Sequence, residues 1–318
     1  MSKKVSIIIP IKEFDTYAKE CIRKCESLDY DNFEIILLPD FALENIPKFK
    51  KELKIIPTGK ILPGLKRNIG VNHAEGVICA FIDADAFPDR NWIRKAIVFL
   101  EDENIAAVGG PNLTPEDDSL AQKLSGIILS CWTALGKFST RYKIFRLYYP
   151  MELPSCNFII KKEIFKKIGG FSSDLLTAED AELCFNIKKI GKKILYSPEV
   201  MVFHHRRPIF KLHFQQIFIY ARDKSKLLKK LSWKEKLERV CYYVLPIGLI
   251  SFLTIIILSL FLKKLLKFSI SMIGIYTFLI LIESFTKNKR YFYLLGTGIV
   301  GTHFSYLLGF LKGMIEKR

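Results

Sequence analysis

Two carboxylates, Asp83 and Asp85, close an apolar run in the stretch VICAFIDADAFPD, residues 77 to 89. Charge at the end of a buried segment is costly unless something pairs with it. The run Val77 to Ile82 reads as a fully buried strand. Both aspartates then fall at its carboxyl end, where open α/β sheets bind their ligands, and with Ala84 pointing away, alternation puts both side chains on one side. Two hard oxygen ligands converging there suit Mg2+ or Mn2+ shared with a substrate phosphate. A plain strand-end turn is the other reading this stretch allows. Asp29-Tyr30-Asp31 has the same spacing but sits in the polar turn LDYDN, where solvated carboxylates are the ordinary reading. A second acidic group, Glu179, Asp180 and Glu182, opens the run TAEDAELCFNIKK. Acids in a first helical turn stabilise it, and Thr177 can cap such a helix. Three acids exceed what capping needs, so they too are candidates for chemistry.

Positioning these groups requires strands and helices in alternation. KVSIIIP reads as a strand ending at Pro10, residues 15 to 28 as a helix, and FEIILLPD as a strand ending at Asp40. GLKRNIGVNHAEG follows as a helix and VICAFIDAD as the third strand. This order implies a parallel sheet with helices on its faces, whose strand ends bring Asp40, Asp83 and Asp85 to one edge. Further along, GIILSCWTALGKF, 126 to 138, fits either a core helix or an amphipathic helix on a membrane. Alternation from Val200 and Val202 favours His204 over His205 as the inward histidine of the last strand, with both kept as candidates.

Beyond Cys241 the chain changes character. YYVLPIGLISFLTIIILSLFL, 242 to 262, is uncharged and at about 1.5 Å per residue spans the roughly 30 Å bilayer core. FSISMIGIYTFLILI, 268 to 282, becomes long enough if Lys267 and Glu283 snorkel, and YFYLLGTGIVGTHFSYLLGFL, 291 to 311, is long enough as it stands. Gly301, Ser305, Gly309 and Gly313 recur on one face of that last segment, where close helix packing in lipid is expected. TKNKR, 286 to 290, suits an inside loop, but KKLLK, 263 to 267, would then lie outside, against the positive-inside tendency. One of the segments is therefore expected to be re-entrant or interfacial. No signal peptide is read before the first strand, so the soluble part is expected to stay in the cytoplasm. Seven cysteines without a Cys-x-x-Cys pair fit a reducing compartment, and Cys21 and Cys25 read as one helix face. The net charge of +17 is concentrated before the first span, with eleven Lys or Arg against three acids from Arg206 to Arg239. A basic segment there points to anionic headgroups or lipid-linked phosphates, and no motif for nucleic acid accompanies it.

Taken in order, SIIIP, the strand-end Asp40, LKRNIG, DAD, GGF, AEDAELCFNIKKIGKKILYSPEVMVFHH and FIYARDK resemble the family 2 glycosyltransferases over residues 4 to about 225. The resemblance implies an α/β GT-A fold, Rossmann-like with a mostly parallel central sheet, followed by a C-terminal transmembrane helical segment. The layout is similar to membrane-anchored enzymes that elongate lipid-linked sugars, such as the succinoglycan-type glucosyltransferases. The expected domains are 1–205 (catalytic), 206–240 (basic, juxtamembrane) and 241–318 (membrane), the last with helices at about 242–262, 266–284 and 291–311. By resemblance, Pro10 and Asp40 line the nucleotide pocket, and Lys66, Arg67 and Asn68 face the donor's phosphates and sugar. Asp83 and Asp85 hold Mn2+ or Mg2+ on the diphosphate, completed by His204. Asp180 is the base with Glu179 in support, and Glu182, His205, Arg206 and Arg222 lie on the acceptor or phosphate side. The implied partners are a nucleotide-sugar, a UDP-sugar first, and a lipid-linked saccharide at the membrane. The Gln-x-x-Arg-Trp signature of processive synthases is absent, which favours transfer of one sugar. A polyprenyl-phosphate monosaccharide synthase is the alternative. A non-catalytic scaffold would be marked by loss of Asp83, Asp85 or Asp180, and all are present.

Overall fold

The computed structural model describes residues 2–44, 46–51 and 53–316. In chain order the elements are β1 (Val5–Pro10), α1 (Thr16–Glu26), β2 (Phe33–Leu38), β3 (Leu53–Ile55), α2 (Pro63–His73), β4 (Ile78–Phe81), β5 (Ala86–Pro88), α3 (Trp92–Phe99), β6 (Ile105–Gly109) and β7 (Asn112–Leu113). They continue with α4 (Leu120–Ser130), α5 (Trp132–Leu135), β8 (Phe158–Lys161), α6 (Lys162–Lys167), α7 (Glu179–Lys189), β9 (Lys193–Tyr196) and β10 (Val202–His204). Last come α8 (Lys211–Lys230), α9 (Trp233–Glu238), α10 (Cys241–Phe261), α11 (Lys263–Lys287) and α12 (Phe292–Ile315). The chain forms two compact units: one holds the residues up to Pro115 together with Thr140–His205, the other Glu116–Ser139 and the residues from Arg206 onward. The segment 116–139, expected within the catalytic domain, thus groups with the C-terminal helices.

The first unit is built on a seven-stranded sheet of order β3-β2-β1-β4-β8-β6-β9. Every strand is parallel except β8, which runs against both β4 and β6. Alternation splits the strand side chains between two cores. Ile7 and Ile9 pack with Cys21 and Ile22 of α1 and with Trp92 and Ile93 of α3. Ile8 packs instead with Val71 of α2, Phe165 of α6 and Leu183 of α7. Burial on both faces explains the continuous apolar runs seen in sequence, although Val77 lies before β4 and is exposed. A second sheet, β5-β10-β7, was not foreseen, its strands being only two or three residues long.

β4 ends before Asp83, and the Ala86 N–H donates to the Asp83 carbonyl at 3.1 Å. Asp83 to Asp85 therefore form a tight turn between β4 and β5, and this turn, not strand alternation, sets the two carboxylates side by side. The Cys21 thiol on α1 donates to the Asp83 carbonyl at 3.7 Å, tying the turn to the core.

In the second unit, α10, α11 and α12 are each long and apolar enough to cross a membrane. The small residues of α12 pack closely as expected, but against α8, a helix rich in charge: Gly301 meets the Phe214 ring, Gly309 the backbone of Phe218, and Gly313 Arg222 and Ser225. A Cβ on Gly309 would stand 2.2 Å from the Phe218 carbonyl oxygen, and backbone cannot step aside as a side chain can. Gly309→Ala is expected to force the helices apart and lower stability by about 1–3 kcal/mol. Thermal unfolding of the detergent-solubilised protein measures this, and an unchanged midpoint would mean the two helices do not touch there.

Candidate active site

Asp83 and Asp85 come together with His204, at the end of β10, such that one ligand atom from each lies within 4.8 Å of the others. His204 is carried there because β10 pairs antiparallel with β5, the strand directly following the aspartate turn, with His204 opposite Ala86. Its Nε2 lies 3.1 Å from Asp85 Oδ1. Burial works to lower the His204 pKa, but the Asp85 carboxylate and Cys156 outweigh it and push it up to about 10. A cation held by the same two side chains would have to displace the His204 proton. His205 points elsewhere: its Nε2 is 3.2 Å from Glu20 Oε2 and its ring packs on Tyr17 and Phe87.

Arg67, on α2, joins the two acidic motifs. Its guanidinium donates to Asp83 Oδ1 at 2.5 Å and to Glu179 Oε1 at 3.1 Å, and lies over the Phe171 ring. It is 2 % exposed, so both ion pairs are shielded from water on the arginine side. Glu179 is also buried, and burial, with the charge of Asp180 next, pushes its pKa up to about 8 despite Arg67. Asp180 is only half-buried, with Oδ1 accepting from the Ala181 N–H at 2.7 Å. Thr177 is not the cap: α7 starts after Ala178, which has φ +66° and no capping side chain. A left-handed alanine costs about 1 kcal/mol or more and persists only where surroundings enforce it. The acids therefore open α7 behind an N-cap residue whose own side chain offers no hydrogen bond.

Three residues expected to face the donor are bound to protein. Lys66 is 3 % exposed, and its ammonium donates to the Ile11 and Leu38 carbonyls at 2.5 and 3.1 Å and to Asp40 Oδ1 at 2.5 Å. It thereby fixes Asp40 and the ends of β1 and β2, near Pro10. Asn68 exchanges two 2.9 Å hydrogen bonds with the Phe171 backbone and so anchors the GGF loop. Gly170 there has φ +72°, and a Cβ would approach Asn68 Oδ1 to 2.6 Å. Arg67 bridges carboxylates as described. A charge on the inner face of a packed helix must find its partner inside the protein, which accounts for these pairs.

Arg206 and Arg222 belong to the second unit. The Arg206 N–H donates to Asp118 at 3.1 Å, and the Arg222 guanidinium pairs with Asp223 at 2.8 Å. Glu182 is half-buried in the first turn of α7. Sequence reasoning missed the buried pair of Arg141 with Glu152. Burial opposes the charge of Arg141, but Glu152, Tyr142 and Asp180 favour it. No periodicity or motif marks that pair in the sequence. The PSCN loop also has a role: Asn157 accepts from the Trp92 indole at 2.8 Å and donates to the Val200 carbonyl at 2.8 Å, holding Cys156 near His204.

Residues 6–169 match the model of "Glycosyl transferase family 2". The chain belongs to this family. It is 25 % identical over 254 residues to the "Probable glycosyltransferase YdaM" of Bacillus subtilis (strain 168), covering 74 % of this chain and 59 % of that protein. The chain thus spans less than two thirds of that relative's length. An uncharacterized glycosyltransferase of Haemophilus influenzae is 26 % identical over 261 residues, covering 77 % and 76 %. Among solved structures, the mannosyltransferase PcManGT from Pyrobaculum calidifontis, in complex with GDP-Man and Mn2+, superposes with a TM-score of 0.55 at 18 % identity, over 72 % of this chain and 64 % of that one. S. aureus TarS 1-349, in complex with UDP-GlcNAc, gives 0.51 at 13 % identity over 97 % and 90 %. The chain has the GT-A fold, with a mostly parallel sheet as expected.

Proposed function

We propose that this protein is an inverting, metal-dependent glycosyltransferase that moves one sugar from a nucleotide-sugar, in our reading a UDP-sugar, to a hydroxyl of a lipid-linked saccharide. In this reading it is a multi-pass membrane protein with its catalytic unit on the cytoplasmic face. The observation that carries it is the convergence of Asp83, Asp85 and His204, with Arg67 linking Asp83 to Glu179 beside Asp180. Two carboxylates and an imidazole fit a divalent ion, and the nitrogen donor suits Mn2+ better than Mg2+, which prefers six oxygens. When bound, the ion supplies positive charge against the charge growing on the leaving diphosphate. Arg67 holds Asp83 and Glu179 in place, and Asp40, fixed by Lys66, is the acceptor for the nucleotide base. Glu179 keeps its proton near neutral pH, which leaves Asp180 to take the proton of the acceptor hydroxyl. The acceptor oxygen bonds to the anomeric carbon as the bond to the diphosphate breaks, and its electron pair leaves with the nucleoside diphosphate. Attack from the opposite face inverts the centre, so an α-linked donor gives a β-linked product. The apolar helices and the basic stretch from Arg206 to Arg239 support a lipid-linked acceptor.

The test is nucleotide release by full-length protein in detergent, screened over UDP-, GDP- and dTDP-sugars with Mn2+ or Mg2+. Metal-dependent hydrolysis of one donor, lost in Asp85→Ala, is expected; no turnover together with no metal-dependent nucleotide binding in calorimetry would overturn the proposal. Mn2+ is expected to outperform Mg2+, and His204→Ala to narrow that preference by removing the nitrogen ligand. His205→Ala, facing Glu20, should leave it unchanged, and equal narrowing in both variants would count against the ligand set.

A further inference from the structure

Three helices qualify by length and composition as membrane spans, but they are unlike in their surroundings. The most apolar windows of α10 and α11 are 17 % and 11 % buried within the protein, that of α12 is 50 % buried. What buries α12 is chiefly α8, and the two run in the same direction. Gly298 lies beside Ile209, Gly301 beside Phe214, Gly309 beside Phe218, and Gly313 beside Arg222 and Ser225. At the far end Lys226 pairs with the Glu316 carboxylate at 2.6 Å, and Lys229 donates to its carbonyl at 2.6 Å. His213 of α8 fastens the pair from within: its Nε2 lies 2.9 Å from Thr302 Oγ1 and its Nδ1 2.8 Å from Ser125 Oγ on α4. Because Thr302 Oγ1 donates to the Gly298 carbonyl at 2.8 Å, it accepts from Nε2–H, and Nδ1 accepts from Ser125. Burial lowers the His213 pKa to about 4, which keeps the ring neutral, as this arrangement needs.

We propose that α12 does not cross the bilayer. Instead, α10 and α11 form a crossing hairpin, while α8 and α12 lie along the membrane surface on the side from which the chain enters α8. This rests on the reading that α10 and α11 enter the bilayer, and it decides which of the candidate spans are real. The argument is one of parity. If α8 crossed, the chain would cross again in α10 and again in α11, so a crossing α12 would run opposite to α8. The contacts have them parallel. If α8 does not cross, α12 does not either, being fastened along it from Gly301 to Gly313, about 18 Å at 1.5 Å per residue. Composition agrees, since α8 would carry Gln215, Gln216, Arg222, Asp223, Lys224 and Lys226 into hydrocarbon.

The rest of the unit fits a surface-lying pair. Flanking the face that meets α8, α12 exposes Tyr293, Phe304, Leu308, Leu311 and Ile315, an apolar stripe at helical spacing. Trp132 and Trp233 are exposed in the same unit, residues at home at a membrane interface. The hairpin is held at its base, where Glu283 accepts from the Trp132 and Thr133 N–H groups at 2.7 and 2.8 Å, and part-way along α11, where Tyr276 Oη lies 2.8 Å from His303 Nδ1. From Glu283 back to Lys263 is about 30 Å of helix, the thickness of the hydrocarbon core. At the tip, Leu260 and Phe261 are exposed. This topology also answers the charge conflict in the sequence. The basic residues from Arg206 to Arg239 and the 286–290 loop share one side, and only Lys263, Lys264 and Lys267 lie opposite.

The experiment uses full-length protein in sealed right-side-out and inverted membrane vesicles, probed with a membrane-impermeant maleimide. Six native cysteines are buried and the seventh, Cys241, is replaced by serine to clear the background. Single cysteines are then placed at the exposed positions Glu163 on α6, Lys264 at the hairpin tip and Lys312 on α12. Glu163→Cys and Lys312→Cys are expected to label from the same face, and Lys264→Cys from the opposite face. Lys312→Cys labelling with Lys264→Cys would overturn the proposal, as would Lys264→Cys labelling with Glu163→Cys. Alkaline carbonate separates the underlying reading: release of the protein from the vesicles would show that no helix is inserted, whereas retention with the wrong labelling pattern would defeat the topology alone.

Discussion

Replacing Arg67 by methionine is expected to lower folding stability by about 3–5 kcal/mol, because it strands the Asp83 carboxylate without its cation and leaves the buried Glu179 carboxyl without its donor. The effect is large since Arg67 and Glu179 are both nearly inaccessible, so solvent cannot substitute for the lost partner. Arg67→Lys should recover little, as one ammonium cannot serve two carboxyl groups held by separate arms of a planar fork. Adding Asp83→Asn to Arg67→Met should restore part of the loss by removing the stranded charge, and the double-mutant cycle isolates the coupling. Thermal unfolding of the purified protein reads all three variants. A wild-type midpoint for Arg67→Met would mean that the bridge between the acidic motifs contributes nothing to the fold.

Asp180→Asn is expected to lower kcat by about 10²–10⁴-fold, the usual weight of a positioned general base. Nucleotide and metal affinity should be unchanged, since Asp180 is not in the cluster of Asp83, Asp85 and His204. Glu179→Gln should cost far less in kcat, because burial already keeps that carboxyl protonated near neutral pH. Steady-state turnover with a hydroxyl acceptor, beside calorimetry of nucleotide binding, separates the two. Turnover close to wild type in Asp180→Asn would point instead to an acceptor that is already ionised, such as a polyprenyl phosphate, which needs no base.

Much of this site is local chemistry and was legible along the chain. An apolar run followed by Asp83 and Asp85, and three acids from Glu179 to Glu182, announce themselves because strand burial and helix-end electrostatics act over a few residues. The same locality explains why the first three long strands, the helices between them and the apolar C-terminal segments are found near their expected places. What sequence could not carry was partnership across distance. Whether Lys66 and Arg67 point to a ligand or into protein depends on which strands and helices lie against α2, and only the packed unit decides that. Alternation along the last strand favours His204 over His205, but its arrival beside Asp83 and Asp85 turns on a pairing between β10 and β5, more than a hundred residues apart in the chain. The buried Arg141 and Glu152 pair and the antiparallel β8 arise the same way, from contacts with no periodic trace. In the second unit, composition marks α12 as a possible span, because hydropathy measures how apolar a helix is. That its small-residue face is covered by the charged helix α8, running parallel to it, is a property of the tertiary structure alone, since glycines admit any helix that fits.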